Sequence, residues 1–402
     1  MLLFQTILVY TFLMCSMFYF SHKGCQSAKK SYQIIAILLF AIVLGLRYNV
    51  GVDWDNYRTI YENDLLNLSF PEMLDTRYEL GFVTLVYICH LFSIPTYIFF
   101  IIIAFVQIFF LYKALEDDDK IIPYVYLAFF LTGIAIQGFC NVMRHNIAFV
   151  IFLYATRYIR SHKVLPYILL CILASSFHKA SLIVIPLYFL WQKRSSIFTR
   201  PLVQTIIYIG CIILSFNDYI QQLFSNFTDL YILLGFDGYI DTILDYSTYG
   251  HGTTVIVYWI SSLVIIQYSN KIKTFYDNRM VNIFYDLFFI GICSSCVFMG
   301  NMLFSRASLF FTNMLFIIYG YTIYYFLKAT KSNVNIISFT LVILSLIASY
   351  SSMIYHSPET TDSYVHYFQE DLHPLKDRQR EIHLETRNFG NIYEKNIYTI
   401  RY

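Results

Sequence analysis

The sequence predicts an all-α protein that crosses a membrane many times. Hydrophobic residues make up 57% of the 402 residues and charged residues only 13%, and the mean hydropathy is +0.55. Soluble domains carry roughly 25% charged residues, so most of this chain is expected to lie in a bilayer. Apolar stretches close to the ~20 residues that span a bilayer recur along the sequence.

These apolar stretches are separated by polar and basic residues that define their ends. They cover residues 3–21, 31–47, 78–93, 95–113, 121–138, 145–160, 164–179, 180–192, 202–217, 254–269, 281–300, 304–327 and 334–354. The first stretch has no basic start and no small-residue cleavage site. It is therefore interpreted as a membrane helix rather than a removed signal peptide. Cys293 and Cys296 lie inside an apolar stretch and are interpreted as packing residues.

Basic loops set the expected orientation, because loops rich in Lys and Arg stay in the cytoplasm. The basic loops lie near residues 22–30, 157–163, 193–200, 271–279 and 328–331. The 113–120 loop carries both signs, and it is placed inside because acidic residues count for little in this rule. Thirteen full crossings conflict with these assignments. Segment 78–93 is therefore expected to be re-entrant or interfacial, which leaves about twelve crossings with both termini outside.

One transmembrane domain is expected over residues 1–354. Its sizeable external loops are residues 48–77 and 218–253, and a polar extracytoplasmic tail follows over residues 355–402. The tail is too short and too polar to bury a core of its own. It is expected to lie over the membrane domain or to be partly mobile.

A dense group of polar and aromatic residues begins where the second helix leaves the membrane. It contains Arg47, Tyr48, Asp53, Trp54, Asp55 and Tyr57, and Glu79 follows at the next helix start. Carboxylates and amides bind sugar hydroxyls, and aromatic faces pack on sugar rings, so this mixture predicts a carbohydrate site. The alternative is an interfacial belt in which the aspartates cap helices.

Three further polar breaks on the same predicted side contain Arg144, His178 and Arg306. An arginine at a membrane helix end is costly unless it is hydrated or paired, and so it often marks a site. The guanidinium suits bidentate phosphate contacts. Together with Arg47, the two arginines indicate a receptor for a strongly anionic group such as a pyrophosphate. Each arginine taken singly fits snorkelling to lipid headgroups instead, and His178 fits either a catalytic or a structural role.

Several function classes find no support in the sequence. No Walker, HExxH, GxSxG or Rossmann glycine motif occurs in a suitable context, and no basic run predicts binding to nucleic acid. Asp53 and Asp55 resemble a metal-binding pair, but no further ligands lie nearby in the sequence. Neither a metal nor a cofactor is therefore predicted.

Five short elements carry, in order and spacing, a resemblance to a known family. They are Gly45-Leu46-Arg47-Tyr48-Asn49-Val50-Gly51-Val52-Asp53-Trp54-Asp55-Asn56-Tyr57, Glu79-Leu80-Gly81-Phe82, Arg144-His145-Asn146-Ile147-Ala148, Phe177-His178-Lys179-Ala180-Ser181 and Arg306. They resemble the EpsG-like branch of the Wzy-type polysaccharide polymerases. His145 stands where that family usually has Gln. The resemblance covers about residues 1–350, and the tail carries none of it.

The resemblance implies a GT-C-like fold and a processive glycosyltransferase of the bacterial inner membrane, with its active site on the periplasmic or external face. Such an enzyme joins oligosaccharide repeats linked to undecaprenyl pyrophosphate, which serve as both donor and acceptor. ATP is not required because the donor is already activated. Membrane lipid, a flippase and a chain-length regulator are the other implied partners.

The implied reaction displaces undecaprenyl pyrophosphate from an anomeric carbon, so it needs anion stabilisation and a base for the acceptor hydroxyl. The implied pyrophosphate ligands are Arg47, Arg144 and Arg306, and the implied sugar contacts are Tyr48, Trp54 and Tyr57. The candidate bases are His178 first, and Asp53, Asp55 and Glu79 as alternatives.

Two other functions remain open on the sequence. A flippase or exporter of polysaccharide or lipid-linked oligosaccharide also needs arginines and aromatics, but its polar groups should line a path through both leaflets. A membrane acyltransferase with a catalytic histidine is the other alternative, although its key groups usually face the cytoplasm.

Overall fold

The computed structural model describes residues 2–192, 199–216, 253–276, 279–298, 302–329, 332–357 and 361–383. These residues form helices and turns without any strand, and a single isolated bridge among them pairs Arg47 with His366. The all-α class predicted from composition is therefore confirmed for this part of the chain. Most of the predicted loop 218–253 and tail residues 384–402 lie outside the described residues.

The helices of the N-terminal part follow the predicted apolar stretches, except for two short helices, Trp54–Thr59 and Phe70–Leu74, which lie in the predicted loop 48–77. They are α1 (Leu2–Ser27), α2 (Lys30–Gly45), α3 (Trp54–Thr59), α4 (Phe70–Leu74), α5 (Leu80–Leu91), α6 (Thr96–Leu115), α7 (Ile122–Leu131) and α8 (Met143–Arg160). The predicted stretch 121–138 is wrong at its end, because α7 stops at Leu131. Gly133 then adopts a φ of 76°, and a π-helical turn, Ile134–Gly138, follows. This break brings polar residues to the start of α8.

The remaining helices come from the C-terminal part. They are α9 (Val164–Ser175), α10 (Leu187–Gln192), α11 (Pro201–Leu214), α12 (Thr253–Tyr276), α13 (Arg279–Val297), α14 (Met302–Thr312), α15 (Met314–Lys328), α16 (Asn333–His356) and α17 (373–383). A 3-10 turn, Lys179–Val184, precedes α10. The predicted stretch 304–327 is divided into two helices at Asn313.

Six helical segments among the described residues have the length and apolar composition needed to cross a membrane. They are Leu2–Ser27, Thr96–Leu131, Val255–Tyr276, Met280–Val297, Ala307–Lys328 and Asn333–His356. Shorter apolar helices such as Lys30–Gly45 and Pro201–Leu214 accompany them. The chain is thus a helical protein with several candidate membrane spans, and the count of about twelve crossings and the GT-C-like arrangement stay predictions.

The described helices group into two compact units. The first contains residues 1–109, 132–147 and 349–402, and the second contains residues 110–131 and 148–348. In the first unit α1 packs along α2, and in the second α15 packs on α7 while α13 packs on α14. A close approach in the first unit depends on Gly45, where a Cβ would lie 2.5 Å from the Cα of Ile101. The absence of a side chain there lets the end of α2 lie directly against α6.

Ion pairs in the second unit join the acidic turn after α6 to the end of α8. Arg157 lies 3.6 Å from Glu116 and 3.4 Å from Asp117, and Arg160 lies 3.2 Å from Asp117. Groups this close must lie on the same side of a membrane. The contacts therefore support the predicted placement of the 113–120 loop beside the basic 157–163 loop. Arg144 is the second residue of the same 18-residue helix, which is about 27 Å long.

Both ends of α5 lie beside the same polar surface of the first unit. Before its start, Glu79 pairs with Arg144. After its end, α6 begins, and the ring of Tyr97 lies 5.1 Å from the ring of Tyr367. The backbone N–H of Tyr367 donates to the carbonyl of Leu46 at 2.7 Å. Since α5 has 12 residues and is only about 18 Å long, these contacts fit the predicted re-entrant or interfacial helix.

This placement of α5 is testable by cysteine labelling in a background without native cysteines. We expect Asp75→Cys and Ser93→Cys, on either side of α5, both to react with a membrane-impermeant maleimide added from outside. Both native side chains are exposed. His162→Cys, also at an exposed position beside the basic end of α8, is the control that should react only from inside. Labelling of Ser93→Cys solely from inside would mean that α5 crosses the membrane.

Candidate functional site

Arg47 is buried in the first unit, with only 2% of its surface exposed. Its Nη1 donates to the carbonyl of Leu44 at 2.5 Å, and its Nη2 donates to the carbonyl of Cys140 at 3.1 Å. The guanidinium also lies 5.1 Å from the centroid of the Phe100 ring. Arg47 thus joins the end of α2, the turn before α8 and the side of α6. Among the described residues no carboxylate pairs with it.

The segment after Arg47 makes two tight turns. Asn49 has a φ of 49° and Gly51 a φ of 91°, both in the left-handed region. The N–H of Gly51 donates to the carbonyl of Thr361 at 3.0 Å. A Cβ at Gly51 would lie 2.2 Å from Oδ1 of Asn141. Glycine is therefore required at this position both for the backbone conformation and for space.

Aromatic rings pack against this loop. Trp54 is fully buried, and its ring stacks on Phe100 with centroids 5.6 Å apart. The Tyr48 ring lies 5.0 Å from Trp54 on one side, and the guanidinium of Arg58 lies 5.3 Å from the Trp54 ring. Two of the three predicted sugar contacts, Tyr48 and Trp54, thus lie together, with Trp54 acting as a packing residue beneath Tyr48.

Arg144 and Glu79 form an ion pair in the same unit, close to Tyr57. Nη1 of Arg144 donates to Oε2 of Glu79, and the two side chains are 23% and 10% exposed. The guanidinium lies 5.5 Å from the rings of both Tyr78 and Phe82. The backbone N–H of Arg144 donates to the hydroxyl of Tyr57 at 3.4 Å. Aromatic faces and a carboxylate therefore hold a charged group at the start of α8, where backbone N–H groups also favour anions.

The two aspartates lie at the outer part of the loop. Asp55 pairs with Arg58 at 2.7 Å, and both side chains are 38% exposed. Asp53 precedes α3, and its carbonyl accepts from the N–H of Tyr57 at 3.0 Å. The Asp53 side chain makes no capping bond to the helix. Asp53 therefore has no conventional capping role.

His178 and Arg306 belong to the second unit, and that unit is described by itself. His178 is half-buried and has extended backbone just before the 3-10 turn Lys179–Val184. Its N–H donates to the carbonyl of Ala174 at 3.1 Å. That turn packs against α14, the helix that contains Arg306, whose side chain lies outside the described residues. Sharing of one site by these residues and Arg144 stays a prediction.

No cluster of three or more His, Cys, Asp or Glu side chains with metal-binding geometry occurs in the part of the chain that the structure describes. Asp55 is paired with Arg58. The described residues of the site therefore offer cations, carboxylates and aromatic faces for a polar ligand.

One comparison with known proteins gives a match that covers most of the chain. A family model described as the EpsG family matches residues 30–368. This match includes the Arg47 loop, the Arg144–Glu79 pair, His178 and Arg306. The chain belongs to the EpsG family. No curated protein and no solved structure matches it.

The sequence analysis did not predict that the C-terminal segment contacts the Arg47 loop. Residues 361–383 pack on the Arg47 loop at the edge of the EpsG match and beyond it. The N–H of Tyr48 donates to the carbonyl of Val365 at 2.8 Å, and the Tyr48 ring stacks on His373 with centroids 3.4 Å apart. Burial, and secondarily the carboxylate of Asp377, raise the pKa of Tyr48 to about 12. The described part of the tail thus packs on the Arg47 loop, and its placement over the membrane domain stays a prediction.

Lys376 anchors this segment from within. It is fully buried, and its Nζ donates to the carbonyls of Thr361 and Ser363 at 2.7 Å and to Oε1 of Gln379 at 2.9 Å. Burial lowers the pKa of Lys376 to about 7, and the carboxylate of Asp362 opposes this change. These hydrogen bonds offset only part of the cost of removing the ammonium from water. No sequence pattern identifies an inward-facing lysine in so polar a tail.

The geometry of Gly51 makes a specific prediction for this EpsG protein. Gly51→Ala should destabilise the protein by ~1–3 kcal/mol because of backbone strain and the collision with Asn141. The effect should be seen as a lower thermal unfolding midpoint in detergent. Asn141→Gly in the same chain should restore part of the loss by removing the collision.

Gly210→Ala is the matched control, because a Cβ at Gly210 meets nothing within 4 Å and the residue lies inside α11. Alanine is favoured over glycine inside a helix, so this variant should be neutral or slightly stabilised. An equal loss in both variants would contradict the role assigned to the Gly51 turn.

Proposed function

We propose that this EpsG-family protein polymerises oligosaccharide repeats linked to undecaprenyl pyrophosphate into a surface polysaccharide, at the external face of the bacterial inner membrane. The observation that carries the proposal is the Arg144–Glu79 pair, set among aromatic rings next to the Arg47 loop. The family membership supports a polymerase-like role. Donor and acceptor would both be lipid-linked repeats.

Arg144 is the proposed contact for the leaving pyrophosphate. One end of its guanidinium is held by Glu79, and 23% of the side chain remains exposed. Arginine binds phosphate through a planar fork, and the start of α8 adds backbone dipoles that favour negative charge. An incoming pyrophosphate would compete with Glu79 for the guanidinium. Arg306 stays a candidate ligand from the sequence, because its side chain lies outside the described residues.

Arg47 takes a different part in this proposal. Its side chain is buried and donates to main-chain carbonyls, so it is less accessible to a ligand than Arg144. We assign it to fixing the loop that contains Tyr48, Asp53 and Asp55. Direct contact between Arg47 and pyrophosphate, expected from the sequence, remains a prediction and would require a movement of this loop.

The base that accepts the proton of the sugar hydroxyl has several candidates. Glu79 is neutralised by Arg144 in the ligand-free arrangement, and a pyrophosphate on Arg144 would release its carboxylate for this task. An imidazole suits proton transfer near neutral pH, and His178 stays the first candidate from the sequence. Asp53 and Asp55 lie at the outer part of the loop, closest to solvent and to an acceptor that approaches from outside.

Substitution of Arg144 tests the anion site. Arg144→Lys keeps the charge but loses the fork, and we expect polymer formation to fall about 10²-fold, as for loss of one transition-state donor. Single repeats should accumulate on the lipid while the protein level stays unchanged. Polymer of normal length from this variant would make a structural role of Arg144 the better account.

Arg77→Lys is the matched control for Arg144→Lys. Arg77 is exposed, and its guanidinium lies 5.3 Å from the Tyr78 ring, the same ring that Arg144 contacts. Normal polymer is expected from this variant. A defect as large as that of Arg144→Lys would indicate a general charge effect at this surface.

The identity of the base can be decided with purified protein and lipid-linked repeats isolated from the same strain. A positioned base typically contributes ~10²–10⁴-fold, so its removal should lower turnover by this factor while the repeat still binds. The variants to compare are His178→Ala, Glu79→Gln, Asp53→Asn and Asp55→Asn. Near-normal turnover of His178→Ala, with loss in one carboxylate variant, would make the histidine structural.

A further inference from the structure

The C-terminal helix α17 (373–383) contacts the loop that the proposed function places at the reaction. From these contacts we infer that Asp377 and Arg380 are positioning residues, which hold the Asn49–Asp55 segment in its working conformation. Neither residue belongs to the motifs that identified the site. The EpsG match ends at residue 368, so the helix lies beyond it. The expected effect on polymer formation rests on the proposed function, whereas the fixing of the loop by these two residues does not.

The side chain of Asn49 is held at both ends by α17. Its Nδ2 donates to Oδ1 of Asp377 at 2.7 Å, and its Oδ1 accepts from Nη1 of Arg380 at 2.9 Å. The other carboxylate oxygen of Asp377 accepts from the Tyr48 hydroxyl at 3.1 Å. Asn49 is 3% exposed, so water does not supply these partners. The left-handed backbone at Asn49 is therefore fixed by two charged residues more than 300 positions away.

Arg380 also holds the main chain of the next turn. Its Nη1 lies 3.3 Å from the carbonyl of Gly51, and its Nη2 donates to the carbonyl of Val52 at 2.7 Å. Val52 directly precedes Asp53. The charge of Arg380 also interacts with the carboxylates of Asp55 and Asp53. Arg380 thus fixes the backbone where the loop leaves the Gly51 turn. Its positive charge also attracts the carboxylates of the two aspartates that follow.

The burial of the segment shows that α17 is a fixed part of the unit. Lys376 is fully buried beside Ser363, and Tyr364 is 3% exposed. The Tyr364 hydroxyl donates to the carbonyl of Val43 at 2.9 Å, near the end of α2. A segment anchored this deeply suits a permanent positioning role rather than an opening lid.

A side-chain exchange tests the inference. Asn49→Asp alone places a carboxylate against Asp377, and we expect polymer formation to fall about tenfold or more from the repulsion and the lost hydrogen bond. Asp377→Asn alone loses a charge-assisted bond and should cause a smaller loss. The double variant recreates the pair with donor and acceptor reversed, while Arg380 still faces an acceptor at position 49. Its polymer formation should return to within about threefold of the parent, as expected of directly coupled residues.

A second readout follows the loop without using activity. Trp54 is fully buried under Tyr48, so acrylamide should quench its fluorescence poorly in a chain with Trp191→Phe and Trp259→Phe. Asn49→Asp and Arg380→Ala should raise this quenching, and the exchange should restore it. Arg378→Ala, which removes the same charge from an exposed position of α17, is the matched control and should change neither readout.

The outcomes separate the two proposals. Restoration of both quenching and polymer in the double variant supports the positioning role. Unchanged Trp54 quenching in Asn49→Asp and Arg380→Ala overturns it, whatever the polymer does. Raised quenching with normal polymer shows that α17 fixes the loop but that the loop is not needed for the reaction. That result overturns the catalytic part of the inference and the use of this loop in the proposed function.

Discussion

The buried guanidinium of Arg47 is the interaction on which the first unit depends. A charge removed from water is costly unless polar groups replace its hydration, and here the replacements are main-chain carbonyls of Leu44 and Cys140 together with the Phe100 ring. These groups belong to three separate parts of the chain. The need to solvate one cation therefore fixes the end of α2, the turn before α8 and the side of α6 relative to one another.

Two arginines of the candidate site, Arg47 and Arg144, have different environments. Arg47 interacts with neutral carbonyls and is buried, while Arg144 is paired with Glu79 and partly exposed. A buried guanidinium that donates to carbonyls stabilises a backbone arrangement and is shielded from a ligand. A guanidinium held by one carboxylate retains an exchangeable partner. Under the proposed function, the burial of each arginine, rather than its presence in a motif, separates a residue that stabilises the fold from one that binds the ligand.

Much of this arrangement was predictable because it depends on local patterns. Apolar length predicted the helices, and the spacing of Arg47, Glu79 and Arg144 indicated the family. The end of α7 at Leu131 was missed because the apolar composition continues past Gly133. The contribution of α17 could not be predicted because burial in this helix does not follow polarity. Lys376 is buried there, while Leu375 and Ile382 are 47% and 54% exposed. Tertiary hydrogen bonds decide that orientation, and amphipathic periodicity gives no sign of it.

The contact between α17 and the Arg47 loop has a consequence for biosynthesis. Tyr48 and Asp377 are separated by 329 positions, so the loop emerges from the ribosome long before the helix that fixes it. At synthesis rates of ~5–20 residues per second, the delay is roughly 15–65 s. During that interval the inserted helices contact lipid, but the loop lacks its partners. The loop is therefore completed only after α17 has been synthesised, and a product truncated before α17 would lack these contacts.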